Sequence, residues 1–75
     1  MRRYFFDIRL GNNFVEDEEG LLLPTIEAAQ REALRTLLQI AKDLGELPAS
    51  LSVEVRDEIG SVMRAEVVFK IERTN

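Results

Sequence analysis

The sequence predicts an α+β domain with the element order β-β-α-β-β, in which one helix packs on one face of a four-stranded, largely antiparallel sheet. Three observations support this fold class: apolar and polar residues alternate near both ends of the chain, apolar residues recur at helical spacing in the middle, and glycine or proline stands at the junctions. We therefore interpret residues 1–75 as a single domain with a hairpin at 2–17, a helix at 26–44 and a second hairpin at 51–72.

The first hairpin is predicted from the alternating segment RRYFFDIRL at residues 2–10. Such alternation is typical of a strand with one buried face, and it places Phe5 and Arg9 on the face away from the core. The following GNN at 11–13 tolerates the positive φ of a short hairpin loop, so FVE at 14–16 is expected to return as the second strand.

The helix has sequence signals at both ends. The residue before Pro24 is disfavoured in the α region, and Thr25 is a suitable N-cap. Gly45 is expected at the C′ position, and Pro48 prevents the helix from continuing. The apolar stripe predicted to face the sheet comprises Ile26, Ala29, Ala33, Leu34, Leu37, Ile40, Ala41 and Leu44.

The second hairpin is predicted from alternating segments at 51–56 and 63–72 that flank the turn DEIG at 57–60. A related DEEG at 17–20 precedes the helix, and both turns are expected to place their glycine in the left-handed conformation. We expect the helix to cover an apolar sheet face made of Tyr4, Phe6, Ile8, Leu51, Val53, Val55, Val67, Phe69 and Ile71.

The acidic run EDEE at 16–19 raises the alternative of a cation site. An EF-hand loop with Gly20 at its sixth position would need acidic residues in place of Val15 and Ile26, so that motif is absent. We interpret the run as a turn in which Asp17 bonds the local backbone, with a weak divalent-cation site as the alternative. No cofactor and no dedicated metal site is predicted.

Composition excludes several functional classes. The chain has no cysteine and no histidine, which removes disulfides, thiol nucleophiles and Cys/His zinc sites. Because its carboxylates are predicted on turns and polar strand faces, we do not expect an enzyme. A net charge of −4 opposes binding to nucleic acid or anionic lipid, and no apolar run is long enough to span a membrane, so a cytoplasmic location is expected.

The candidate functional residues lie on the predicted uncovered face of the sheet. Phe5, Arg9 and Val68 are the candidate interface residues, and we expect Phe5 and Val68 to form a small apolar patch together. The sequence therefore favours a non-catalytic protein-interaction module. Its simplest partner is a second copy of the chain, which would give a homodimer.

Taken in order, the segments RYFF, EDEEG, LPTIEAAQREAL, VEVRDEIGSVM and VVF make the chain similar to a family of small bacterial proteins, largely alphaproteobacterial, with a domain of unknown function. The resemblance covers nearly the whole chain and implies a compact α+β domain with no established activity. The opening and the helix segment also resemble antitoxins that begin with a hairpin. A small antitoxin-like regulatory protein that binds a basic partner is the alternative hypothesis.

Overall fold

A computed structural model describes residues 1–46 and 50–75 of the chain. The α+β fold class is confirmed, with one helix packed against an antiparallel sheet. The sheet has five strands instead of four, because the extended segment before the helix pairs with the first strand. The elements are β1 Arg2–Leu10, β2 Asn13–Val15, β3 Leu21–Leu23, α1 Ile26–Asp43, β4 Ser50–Arg56 and β5 Ser61–Val68.

The strand order is β2-β1-β4-β5, and β3 joins β1. β2 pairs with the C-terminal part of β1, from Ile8 to Leu10, and β3 pairs with its N-terminal part, from Arg2 to Tyr4. These short strands therefore follow one another along one edge of β1, while β4 occupies its other edge. β5 pairs with β4 and forms the opposite edge of the sheet.

The helix begins where the sequence predicts. Thr25 is the N-cap, and its Oγ1 accepts a hydrogen bond of 3.0 Å from the Ala28 N–H. The helix ends at Asp43, one residue before the predicted end, which leaves Gly45 at the expected C′ position. Pro48, the predicted stop signal, lies outside the described residues. No helix in the described part of the chain is long and apolar enough to cross a bilayer.

The core lies between α1 and the sheet. Of the predicted sheet-face residues, Ile8, Val67 and Phe69 are partly buried, whereas Ile71 is 76% exposed and its assignment is wrong. β5 ends at Val68, opposite the first residue of β4, so the second hairpin spans 50–68 instead of 51–72. The buried apolar residues are Tyr4, Phe6, Ala29, Ala33, Leu37, Leu51, Val53 and Val55.

Three further details differ from the sequence predictions. Ile26 and Leu34 belong to the predicted core stripe, but Leu34 is 48% exposed and Ile26 is also exposed. Both residues lie at the borders of the apolar stripe, where the burial of a side chain depends on how far the sheet extends beneath the helix. Gly60 does not adopt the expected left-handed conformation, since within the described residues positive φ occurs only at Gly11 and Gly20.

Candidate functional site

The sheet face opposite α1 carries a network of charged side chains. Asp7, on β1, is only 5% exposed although it lies on this outer face. Arg56 of β4 lies beside it, with its Nε donating to Asp7 Oδ2 at 2.7 Å and its Nη2 approaching Asp7 Oδ1 at 3.4 Å. The same guanidinium lies 4.5 Å from the centroid of the Phe5 ring. Asp7 is therefore a buried carboxylate that is paired with a cation.

The turn after β2 completes this network. Asp17 donates its N–H to Asp7 Oδ1 at 2.9 Å, and its C=O accepts from Arg56 Nη2 at 2.9 Å. Its Oδ1 accepts from the N–H groups of Glu19 and Gly20 at 3.1 and 3.0 Å, which confirms that Asp17 bonds the local backbone. The segment between β2 and β3 is thus a hydrogen-bonded turn anchored to the sheet.

The second oxygen of Asp17 fills a gap in the strand pairing. Phe6 lies between the part of β1 that pairs with β2 and the part that pairs with β3. Its N–H donates to Asp17 Oδ2 at 3.1 Å, so a side chain takes the place of a strand at this point. Burial raises the pKa of Asp17, but the N–H donors of Gly20, Phe6 and Glu19 and the charge of Arg56 outweigh it, and the net pKa is lowered.

Every oxygen of these two carboxylates accepts a hydrogen bond, which favours a structural role over proton transfer. Sequence reasoning missed the network because strand alternation puts Asp7 on the face away from the core, where a polar residue gives no signal of burial. The register aligns Phe5 with Arg56 and Asp7 with Glu54, so Arg56 is a diagonal neighbour of Asp7. Only the register reveals this contact, and no spacing in the sequence indicates it.

A polar cleft of about 230 Å³ lies on the same outer face. Its lining contains charged groups of both signs. One of them, the Asp7 carboxylate, already accepts a hydrogen bond from Arg56. Within residues 1–46 and 50–75, no three acidic side chains lie close enough to hold a metal ion. The lining residues are Asp7, Arg9, Phe14, Ser52, Glu54 and Arg64.

The structure separates the three candidate interface residues. Phe5 lies opposite Arg56 at one end of β4, whereas Val68 lies opposite Ser50 at the other end. Six residues of strand, about 20 Å, separate these two positions along β4. The expectation that Phe5 and Val68 form one patch is therefore wrong. Arg9 lies between them in register and stacks on Phe14, with its Cζ 5.0 Å from the ring centroid.

The direction of the backbone groups can be followed across the sheet from two hydrogen bonds. In an antiparallel strand, successive residues direct their N–H and C=O groups to opposite sides. Phe6 donates toward the edge with β2 and β3, and Gly11 donates to the Ser50 C=O on β4. Ser50 therefore faces β1, and the alternate β4 residues Leu51 and Val53 face β5.

The same alternation identifies the free groups of β5. Ala65 and Val67 lie opposite Val53 and Leu51, so their backbone groups bond β4. The N–H and C=O groups of Arg64, Glu66 and Val68 consequently point away from β4. Within the described residues no strand lies beyond them. This row of groups is called the β5 edge below.

Apolar side chains are exposed on the same side of the molecule. Val68, at the end of β5, is 73% exposed. On α1, Leu34 is 48% and Leu38 is 68% exposed, and both lie in a shallow depression bordered by Arg31 and Lys42. α1 packs on both β4 and β5, so these leucines belong to the half of the molecule that carries the β5 edge.

Comparison with known protein families matches residues 3–68 to a domain of unknown function, DUF6894. The match extends from the start of β1 to the end of β5, so it includes the Asp7–Arg56 network and the β5 edge. No curated protein and no solved structure gives a significant match. Because the match covers nearly the whole chain, the protein belongs to the DUF6894 family of domains of unknown function.

Proposed function

We propose that this chain is a non-catalytic protein-interaction module that binds through the β5 edge. The observation that supports the proposal is the row of backbone groups at Arg64, Glu66 and Val68, which point away from β4. Unpaired groups along a sheet edge are a template for an added strand. An eight-residue strand such as β5 provides enough of these groups for a specific contact.

The composition of β5 also supports this role. Natural proteins commonly protect a free edge with charged side chains, above all lysine, with proline or with a bulge. The charged residues of β5 are Arg64 and Glu66, which are of opposite sign. The strand SVMRAEVV contains neither proline nor lysine, and its one irregularity lies near its start, where the register with β4 shifts between Val55 and Arg56. From Met63 to Val68 the edge is regular, and it is therefore competent to accept a strand.

The outer face is consistent with a non-catalytic role. Its most buried carboxylate, Asp7, is held by Arg56 and by the Asp17 N–H. Asp17 in turn has a lowered pKa and accepts three backbone hydrogen bonds, so it is poorly suited to take up a proton near neutral pH. These groups maintain the sheet on which the β5 edge lies.

The experiment that tests the proposal compares partner capture by the tagged wild type and Glu66→Pro in its native cells. The Glu66 N–H points away from β4, so proline there removes an edge donor without removing a bond to β4. Glu72→Pro, beyond the end of β5, is the matched control. Covalent cross-linking followed by mass spectrometry identifies the captured chains.

We expect one dominant partner, which includes a second copy of the chain, to be captured by the wild type and the Glu72→Pro variant but not by Glu66→Pro. Circular dichroism must show that Glu66→Pro remains folded. Equal capture by the wild type and a folded Glu66→Pro variant would contradict binding through the β5 edge.

A further inference from the structure

We propose that two copies of this chain pair antiparallel through their β5 edges, about a two-fold axis at Ala65, to form one continuous sheet. This inference rests on the proposed function and identifies its partner as the chain itself. Three independent features carry it: the direction of the edge groups, the charges along β5, and the exposed leucines on α1.

The edge groups limit how two β5 strands can pair. A two-fold axis perpendicular to the sheet places residues of equal side-chain direction opposite each other and keeps both helices on one face. Arg64, Glu66 and Val68 must then form the hydrogen-bonded pairs with the second copy, because their N–H and C=O groups are the ones that point outward. Centring the axis on Ala65 satisfies this condition, since Arg64 then lies opposite the partner's Glu66.

The charges select this register among those that the backbone allows. With the axis at Ala65, Arg64 of each copy lies opposite Glu66 of the other copy, so two such pairs form, one on each side of the axis. Axes at Arg64 or at Glu66 would instead place two like charges directly opposite each other, which is destabilising. The outer face of β5 is therefore self-complementary in one register.

The inner face of β5 is compatible with the same register. Met63 lies opposite the partner's Val67, and Ala65 lies opposite its own copy on the axis. Met63, Ala65 and Val67 are partly buried residues at the border of the core. Pairing would extend that border into the second copy, with apolar contacts on both sides of the axis. At the ends of the pairing, Val68 lies opposite the partner's Val62.

The position of α1 provides the third feature. Thr36 and Ile40 lie on one flank of the helix and border Ile8 of β1. This flank therefore faces β1. At about 100° per residue, Leu34 and Leu38 lie on the other flank, beyond the buried stripe and toward the β5 edge. These side chains are exposed in the single chain, and they face the second copy in the paired sheet.

The separation of the two helices fits this arrangement. α1 packs on both β4 and β5. If each helix lies above the boundary between these strands, the two helices are separated by two interstrand spacings, about 9.6 Å. Packed helices are commonly about 8 to 10 Å apart. Leu34 and Leu38 would consequently fill the space between two helices at ordinary packing distance.

The test is sedimentation equilibrium of the purified full chain with charge reversals on β5. The single chain has a mass of 8.6 kDa, and we expect the wild type to sediment at twice that mass. Arg64→Glu and Glu66→Arg each create two like-charge pairs across the axis, so each should raise the dimer dissociation constant at least about tenfold. Lys70→Glu and Glu72→Arg, beyond the strand, are the matched charge controls.

The register is tested by combining the two reversals. The double variant Arg64→Glu/Glu66→Arg restores opposite charges in the same register, so its dimer should return. An equimolar mixture of the two single variants should also dimerise, because one chain then carries two acidic residues where the other carries two basic ones. If the single reversals weaken the dimer and neither combination restores it, the register at Ala65 is wrong.

The helix contact is tested separately by Leu38→Ser. We expect this change to raise the dissociation constant about tenfold, while Val15→Ser, an exposed apolar residue on the distant strand β2, leaves it unchanged. A wild type that remains monomeric, or a dimer that none of the β5 reversals weakens, would overturn this inference. Either result leaves the proposed function standing, since capture of a different protein through the β5 edge is measured independently.

Discussion

The two long edges of the sheet differ in what satisfies their backbone groups. Along β1, two short strands pair with the ends, and the Asp17 carboxylate accepts the Phe6 N–H in the gap between them. Along β5, the groups of Arg64 and Glu66 point outward, with no strand beyond them in the described residues. In the described residues the edge along β1 is therefore closed and the β5 edge is open, which is why our proposal places the partner on the β5 edge.

The closed edge should be most sensitive at its buried ion pair. Arg56→Met removes the guanidinium that neutralises Asp7 and leaves a buried carboxylate with the Asp17 N–H as its remaining donor. We expect the largest loss of stability among the changes at this edge, measured as the free energy of unfolding in urea. In dilute solution, where the chains are unpaired, Arg64→Met on the open side should cost less than about 0.5 kcal/mol. Equal losses at the two arginines would show that the network does not stabilise the fold.

The next largest loss of stability is expected from a change in the turn between β2 and β3, at the closed edge. Gly20 has φ +70°, and a Cβ there would lie 2.8 Å from the Tyr4 carbonyl oxygen. Gly20→Ala is therefore expected to cost about 2 kcal/mol or more.

Gly60 is the matched control, because it ends the related DEIG turn but lies in open space without positive φ. Gly60→Ala should change the free energy of unfolding by less than about 0.5 kcal/mol. Similar losses at both glycines in urea titrations would contradict the close approach of Gly20 to β1.

A smaller effect is expected from the Asp17 carboxylate. Asp17→Asn keeps one acceptor oxygen but loses the charged acceptor of the Phe6 N–H, so it should cost about 1 to 2 kcal/mol at pH 7. Asp57→Asn should cost less, because the hydrogen-bond partner that the described residues give its second oxygen is the exposed Arg2 side chain, at 3.5 Å.

The pH dependence follows from the same carboxylate. The pKa of Asp17 is lowered in the folded state from an ordinary value of 3.8. Its stabilisation is therefore present above that value and is lost as the pH falls through the lowered pKa. The wild type should lose stability below about pH 4, and Asp17→Asn should flatten part of this loss. Urea midpoints measured from pH 7 to pH 2 would contradict this account if both proteins gave parallel curves.

On β5, proline should be tolerated at a residue whose backbone groups point outward but not at one whose groups bond β4. In dilute solution, Glu66→Pro removes a donor that points away from β4 and should cost less than about 1 kcal/mol. Ala65→Pro removes a bond to β4 and should cost about 3 kcal/mol. If both prolines destabilise the fold equally, the assignment of the free groups on β5 is wrong.

The sequence predicts the helix and four of the five strands, because each of these has a local signal, but it predicts no strand at β3. Alternation marks β1, β4 and most of β5, and the Thr25 cap marks the start of α1. The DEEG turn is predicted to use the Asp17 side chain, which accepts hydrogen bonds from the residues two and three positions later. Asp57 makes the same two bonds in the related DEIG turn. The shared D-E-x-G sequence does not predict φ, which at Gly20 is set by the close approach to β1.

The candidate site is less predictable because it depends on strand register. The Asp7–Arg56 pair joins residues that are far apart in sequence, and the separation of Phe5 from Val68 follows from the strand order. Leu34 has the spacing of a core residue, yet the sheet of a single chain does not cover it. Such contacts arise only when the strands are assembled.

The most direct test of the β5 edge is hydrogen exchange of its individual amides, measured by NMR at low and high protein concentration. In our account the N–H groups of Arg64 and Glu66 exchange freely in dilute solution and become protected as the chains pair. Those of Ala65 and Val67 are protected at both concentrations, because they bond β4. If the Arg64 and Glu66 amides exchange at the same rate at every concentration, the β5 edge does not join two copies of the chain.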